Sequence, residues 1–144
     1  MEKTFKRQIA IIDTGIIYAM SDKDDSWHKR VKGFTENSND ILILPSTVVP
    51  EACYLLNSYL SIDVERRFIN SLIIGELKIE HFIREDLKRI NELLKTYSDL
   101  NIGFVDASIV AIAERLKATR ILTTDRRHFS AIKPSHCPSL ILLP

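Results

Sequence analysis

Four runs of consecutive apolar residues restrict the folds open to this chain: residues 8–12 (Gln-Ile-Ala-Ile-Ile), 41–44 (Ile-Leu-Ile-Leu), 120–124 and 139–143. They do not alternate with polar residues, and the first is strongly β-branched. The first three suit strands covered on both faces, as in a parallel sheet, and 139–143 reads as a last apolar strand. Leu77–His81 alternates apolar and polar residues, as an edge strand does. Helical patterns fill the gaps, over 26–37, 47–59, 61–73, 83–97 and 105–117. In the fourth, Ile83, Leu87, Ile90, Leu94 and Tyr97 recur at helical spacing. In the last, Val105, Ile109, Ile112, Ala113 and Leu116 share one side. Alternating strands and helices predict an α/β fold, a three-layer sandwich around a central, mainly parallel sheet.

The helix starts have identifiable caps. Asp25 or Ser26 serves the helix from 26, Ser46 or Thr47 the one from 47, and Ser61 or Asp63 the one from 61. Pro50 falls in a first turn, where its missing N–H has no intrahelical partner to lose. The 144 residues fit a single domain, 1–144, with 45% apolar and 27% charged residues. A net charge of +1 leaves no global basic field to attract nucleic acid. Four glycines form neither G-x-G-x-x-G nor G-x-x-x-x-G-K, which disfavours nucleotide-cofactor and nucleoside-triphosphatase readings. Cys53 and Cys137 have no metal-ligand spacing, and Cys53 reads as a buried, reduced thiol. The run after the basic Met1–Arg7 stretch is too short for a signal peptide and nothing reaches membrane-spanning length, so a cytoplasmic protein is expected.

Four carboxylates stand where these elements end or begin. Asp13 closes the first apolar run and Asp125 the fourth strand. Glu51 lies one turn past the second strand, and Asp106 opens the helix leading to Asp125. Each has a local explanation as a cap, a first-turn acid or a turn residue. Parallel sheets, however, bind ligands at the carboxyl ends of their strands. Acids gathered there repel one another until protons or a cation neutralise them. Oxygen-only ligation selects Mg²⁺ or Mn²⁺.

Four ordered blocks carry a family resemblance: Ile11-Ile12-Asp13-Thr14; Ser46-Thr47-Val48-Val49-Pro50-Glu51; Gly103-Phe104-Val105-Asp106-Ala107-Ser108-Ile109-Val110-Ala111; and Ile121-Leu122-Thr123-Thr124-Asp125-Arg126-Arg127-His128-Phe129. In this order the chain resembles a PIN domain, the metal-dependent ribonuclease fold of VapC-type toxins. The resemblance implies that Asp13, Asp106 and Asp125 hold Mg²⁺ or Mn²⁺, directly or through waters. It implies that Glu51 completes the catalytic set by orienting or deprotonating a water. Thr14 and Thr124 would supply hydroxyls behind these ligands, Thr14 standing where many relatives have Ser or Asn. The implied reaction is hydrolysis of RNA phosphodiester bonds, with a small antitoxin and a homodimer as expected protein partners.

Arg126 is a candidate phosphate contact, set against the plainer reading of Arg126 and Arg127 as solvated charges on a short helix. His28 reads as structural. Asp22–Asp25 lacks the glycine and distal glutamate of a calcium loop. Two function classes remain: the metal-dependent endoribonuclease, and a PIN-like RNA-binding or scaffold module without turnover. A Mg²⁺-dependent phosphatase would need a partnering lysine that the chain does not place.

Overall fold

The apolar runs form the strands. The computed structural model describes residues 6–144, so the first five residues of the basic N-terminal stretch lie outside it. The strands are β1 (Ile9–Ile12), β2 (Ile41–Pro45), β3 (Lys78–Glu80), β4 (Arg120–Leu122) and β5 (Ile141–Leu143). They make one sheet of order β3-β2-β1-β4-β5, and every pairing is parallel. Ile11 sits opposite Ile43 on one side and Ile121 on the other. The central strands are buried on both faces, as their unbroken apolar character requires. Leu77–His81 does supply an edge strand.

The helices are α1 (Thr14–Ser21), α2 (His28–Asn37), α3 (Val48–Tyr59), α4 (Ile62–Ile73), α5 (Arg84–Thr96), α6 (Phe104–Leu116) and α7 (Arg126–Ala131). Strands β1 to β3 step in one direction, and β4 then returns to the far side of β1. Right-handed crossovers therefore send α1–α4 to one face and α5–α7 to the other. The reversal creates a switch point between the carboxyl ends of β1 and β4.

Three local expectations give way to tertiary contacts. Ser46 and Thr47 do not cap α3 through their side chains. Thr47 Oγ1 instead pairs with Ser108 Oγ on α6 at 2.6 Å, joining the two sheet faces. Helix α2 begins at His28, because Asp25 Oδ1 accepts the Trp27 N–H and folds an extra turn before it. Helix α6 is buried from Ala107 through Glu114 rather than along one side. Alanines at 107, 111 and 113 let it lie close between the sheet and α5. Ser61 does cap α4, accepting from Val64 N–H at 3.2 Å. Cys53 is only partly buried. His28 is structural, its Nδ1 donating to the Ala19 carbonyl at 2.7 Å.

Candidate active site

Asp13 leaves β1 at the switch point and caps α1. Its backbone N–H donates to the Leu122 carbonyl at 2.9 Å, which extends the β1–β4 ladder by one residue. The side chain is only 6% exposed. Oδ1 accepts the Thr14 N–H and Oδ2 accepts the Thr123 hydroxyl, both at 2.7 Å. Thr123 Oγ1 in turn accepts the Asp125 N–H at 2.9 Å. One fully buried hydroxyl thus ties the acid after β1 to the backbone of the acid after β4.

Burial pushes the Asp13 carboxyl up to about 6, and the charges of Asp106 and Asp125 push in the same direction against the two hydrogen bonds. Asp106 occupies the first turn of α6, where its Oδ2 faces the Gly103 N–H at 3.5 Å. Its carboxyl is also raised, first by burial and further by repulsion from Asp125 and Glu51. Asp125 caps α7: Oδ1 accepts the His128 N–H at 3.1 Å and Oδ2 meets His128 Nδ1 at 2.7 Å. Glu51 is exposed on the first turn of α3. All four acids therefore act on one electrostatic neighbourhood, while Asp13, Asp106 and Asp125 also perform the capping roles that local sequence suggests.

The four do not close into a tight cage. Among the described residues, no group of three or more His, Cys, Asp or Glu side chains stands ready to hold a metal ion. Both Asp125 oxygens are turned onto its own helix by His128, and both Asp13 oxygens already accept one hydrogen bond. The donor set still fits a hard cation, because it is made of oxygens that repel one another in a desolvated place. A second sign is Thr14 Oγ1, which is buried with no hydrogen-bond partner beside Asp13. Native proteins seldom leave such a group unsatisfied.

The hydroxyl that bonds Asp13 belongs to Thr123. Thr124 lies against Gly15 instead: a Cβ built on Gly15 would fall 2.3 Å from Thr124 Oγ1. The available signal for Thr123 is a hydroxyl at the end of a buried apolar run, where a polar side chain must find a partner, and the adjacent Thr124 shares that signal. His128 was signalled by falling three residues after an acidic cap. Gly15→Ala forces Thr124 to move and is expected to cost about 1–3 kcal/mol. Denaturant unfolding measures this, and an unchanged midpoint would show that Thr124 yields freely.

A PIN domain family model matches residues 10–133. The chain belongs to the PIN domain family. It is 32% identical over 124 residues to Ribonuclease VapC26 of Mycobacterium tuberculosis, covering 86% of this chain and 92% of that one. The fold resembles VapC20 of the same organism, a sarcin-ricin loop cleaving toxin, with a TM-score of 0.73, 17% identity and coverage of 78% and 86%. It also resembles VapBC2 of Rickettsia felis bound to a promoter DNA fragment, with a TM-score of 0.67, 22% identity and coverage of 94% and 97%.

Proposed function

We propose that this chain is a Mg²⁺- or Mn²⁺-dependent endoribonuclease acting as the toxin of a toxin–antitoxin pair. The observation that carries this reading is the electrostatic coupling of Asp13, Asp106, Asp125 and Glu51 at the switch point, with Asp13 raised to about 6. The ribonuclease relative at 32% identity supports the substrate class.

Asp13, Asp106 and Asp125 would hold the cation, in part through waters, since Mg²⁺ keeps several of its own. When bound, the ion supplies a polarised phosphoryl oxygen and a water of lowered pKa. Around it, Thr123 holds Asp13 Oδ2 in place and keeps Asp125 at a fixed distance from β1. The unpartnered Thr14 hydroxyl is available to a water of the site, and Thr124, whose hydroxyl lies against Gly15, would supply a second hydroxyl from the neighbouring strand end. Glu51, exposed at the rim, would orient or deprotonate the attacking water. Arg126 would meet a substrate phosphate. Hydrolysis would then need no covalent intermediate.

The same proposal takes the whole chain, 1–144, as one PIN-like domain working in the cytoplasm. No helix among the described residues is long and apolar enough to cross a membrane. An antitoxin partner is supported by an apolar groove of about 540 Å³ between α1 and α4, lined by Ile16, Ile17, Met20, Val64 and Phe68. Tyr54, Tyr59, Ile62, Ile69 and Ile73 are exposed on the neighbouring α3–α4 hairpin and offer apolar area for a homodimer. The competing reading, a module that holds RNA without turnover, draws on the tie between Asp125 and His128.

Incubation of the purified protein with RNA separates the two. Cleavage is expected with Mn²⁺ or Mg²⁺ and none in EDTA. Asp106→Asn should slow it by on the order of a hundredfold or more, since charge stabilisation by a held ion supplies several kcal/mol. Cleavage that persists in EDTA or in Asp106→Asn overturns the mechanism. Metal-independent RNA binding without cleavage supports the module.

A further inference from the structure

We propose that Thr47 and Ser108 are positioning residues for the hydrolytic step, their hydroxyl contact fixing Glu51 against Asp106. The inference rests on the ribonuclease reading and deepens the role given there to Glu51. Thr47 is the second residue after β2 and directly precedes α3. Ser108 lies on α6, on the opposite face of the sheet, and is fully buried. The two oxygens stand 2.6 Å apart. Among the described residues this is the one side-chain hydrogen bond between the start of α3 and α6.

The bond has a direction. Ser108 Oγ donates its single proton to the Val105 carbonyl at 2.6 Å, so Thr47 is the donor to Ser108. The chain of bonds therefore ends on the peptide group that joins Val105 to Asp106. At its other end, Glu51 comes four residues after Thr47, one helical turn along the same face of α3. Side chains on a helix lean toward its N-terminus, so Glu51 leans back toward Thr47 and the strand ends. The Asp106 carboxyl already feels the charge of Glu51.

Folding alone does not call for hydroxyls at these two places. Thr47 has helical dihedrals, φ −65° and ψ −26°, and its side chain caps nothing. The neighbouring Val48 and Ala107 are fully buried and already anchor both helix starts in the core. An apolar pair of the same shape would serve stability about equally, because paired hydroxyls largely offset their own desolvation. A directed bond adds what apolar contact lacks, a fixed distance between the two helix starts. A group that orients water needs this, since misplacement by about 1 Å can cost on the order of a hundredfold in rate.

Among the four acids the need is specific to Glu51. Asp13 and Asp125 are joined to each other through Thr123, along adjacent strands. Asp106 closes the first turn of its own helix. Glu51 enters from the other face of the sheet and is exposed. Its place relative to the other three is set by how α3 sits against α6, which is what the hydroxyl pair holds.

The test is a double-mutant cycle in RNA cleavage by the full chain at saturating Mn²⁺. Thr47→Val/Ser108→Ala removes both hydroxyls and should melt within about 3 °C of wild type in EDTA. Its kcat should fall about tenfold. Its KM for RNA, and the Mn²⁺ concentration giving half-maximal thermal stabilisation, should each change less than about twofold. Glu51→Gln alone should lower kcat about a hundredfold. Adding the two hydroxyl substitutions to Glu51→Gln should cost less than about twofold more, because the group they position is already gone. If the double variant does not fold, Thr47→Val takes its place in the cycle, and Thr47→Ser, which keeps the donor, should cleave like wild type. Full activity without the Thr47 hydroxyl, or a loss that persists undiminished in the Glu51→Gln background, overturns the inference while the ribonuclease reading stands. Wild-type activity in Glu51→Gln overturns it as well. A weakened response to Mn²⁺ overturns action through Glu51 and assigns the pair to the cation ligands. If wild type does not cut RNA with Mn²⁺, the functional reading itself fails and the inference with it.

Discussion

Asp13→Asn is expected to abolish metal-dependent RNA cleavage while leaving the protein at least as stable as wild type near neutral pH. The two halves of this outcome have one cause. Asp13 is buried at the junction of β1 and β4, and its carboxyl titrates at about 6 rather than at its ordinary 3.8. The unfolded chain thus releases this proton more readily than the folded one. Between pH 4 and 6 the folded state binds more protons, so stability falls as pH rises through that window and levels off above it. A displacement of this size corresponds to about 3 kcal/mol of destabilisation at pH 7. Asparagine removes the charge and keeps the shape. Its carbonyl can accept the Thr14 N–H and its amide can donate to Thr123 Oγ1, with the Thr123 hydroxyl proton losing its acceptor at a cost of about 1 kcal/mol.

Thermal melting of both proteins at pH 4.5 and pH 7.5, with and without Mn²⁺, checks this. Wild type should lose stability between the two pH values and recover it on adding Mn²⁺, because a ligand of the folded state stabilises by mass action. Asp13→Asn should show a much smaller pH response and little response to Mn²⁺. A variant that melts well below wild type at pH 7.5 would mean that the carboxylate is a net stabiliser of the fold. A variant that still cuts RNA would remove Asp13 from the site.

The parts of this outcome that were legible in the sequence are those set by short-range pattern. A short apolar run rich in β-branched residues suits a strand covered on both faces, so β1 and its terminal Asp13 could be placed without coordinates, as could β2, β4 and the edge strand β3. What pattern could not reach were side chains whose partners are distant along the chain. Thr47 looks like a helix cap, yet its hydroxyl meets Ser108, 61 residues away. Thr123 and Thr124 are equivalent in sequence, and only the geometry of β4 against α1 sends one to Asp13 and the other to Gly15. Helix α6 reads as amphipathic because its turns contain alanine and serine. It is buried all round because those small residues admit α5 and the sheet closely on both sides. For the candidate site, sequence order marked all four acids. It could not reveal that Asp125 is held by His128, or that Glu51 stands exposed at the rim.

Arg115→Ala should be among the most destabilising single changes away from the candidate site, at about 3–5 kcal/mol. Arg115 ends α6 and joins three other points of the fold. Its Nε lies 3.1 Å from both Asp86 oxygens, Nη1 donates to Glu80 Oε1 at 2.9 Å, and Nη2 donates to the His81 carbonyl at 3.1 Å. Asp86 is 3% exposed and also accepts the Ile83 N–H at 2.9 Å, closing the first turn of α5. Removing the arginine leaves that carboxylate buried with no cation, and the cost is its desolvation rather than the lost attraction alone. The two contributions can be separated. Asp86→Asn keeps an acceptor for Ile83 and removes the charge, so the double variant Arg115→Met/Asp86→Asn should regain most of the lost stability. Urea unfolding of the single and double variants measures both. A loss below about 1 kcal/mol in Arg115→Ala would place the network with screened surface pairs. Asp106 stands at the opposite end of α6 from Arg115. Metal-dependent cleavage at low temperature should therefore survive in the variant, because what Arg115 secures is the attachment of α6 to α5 and β3 rather than the chemistry at the switch point.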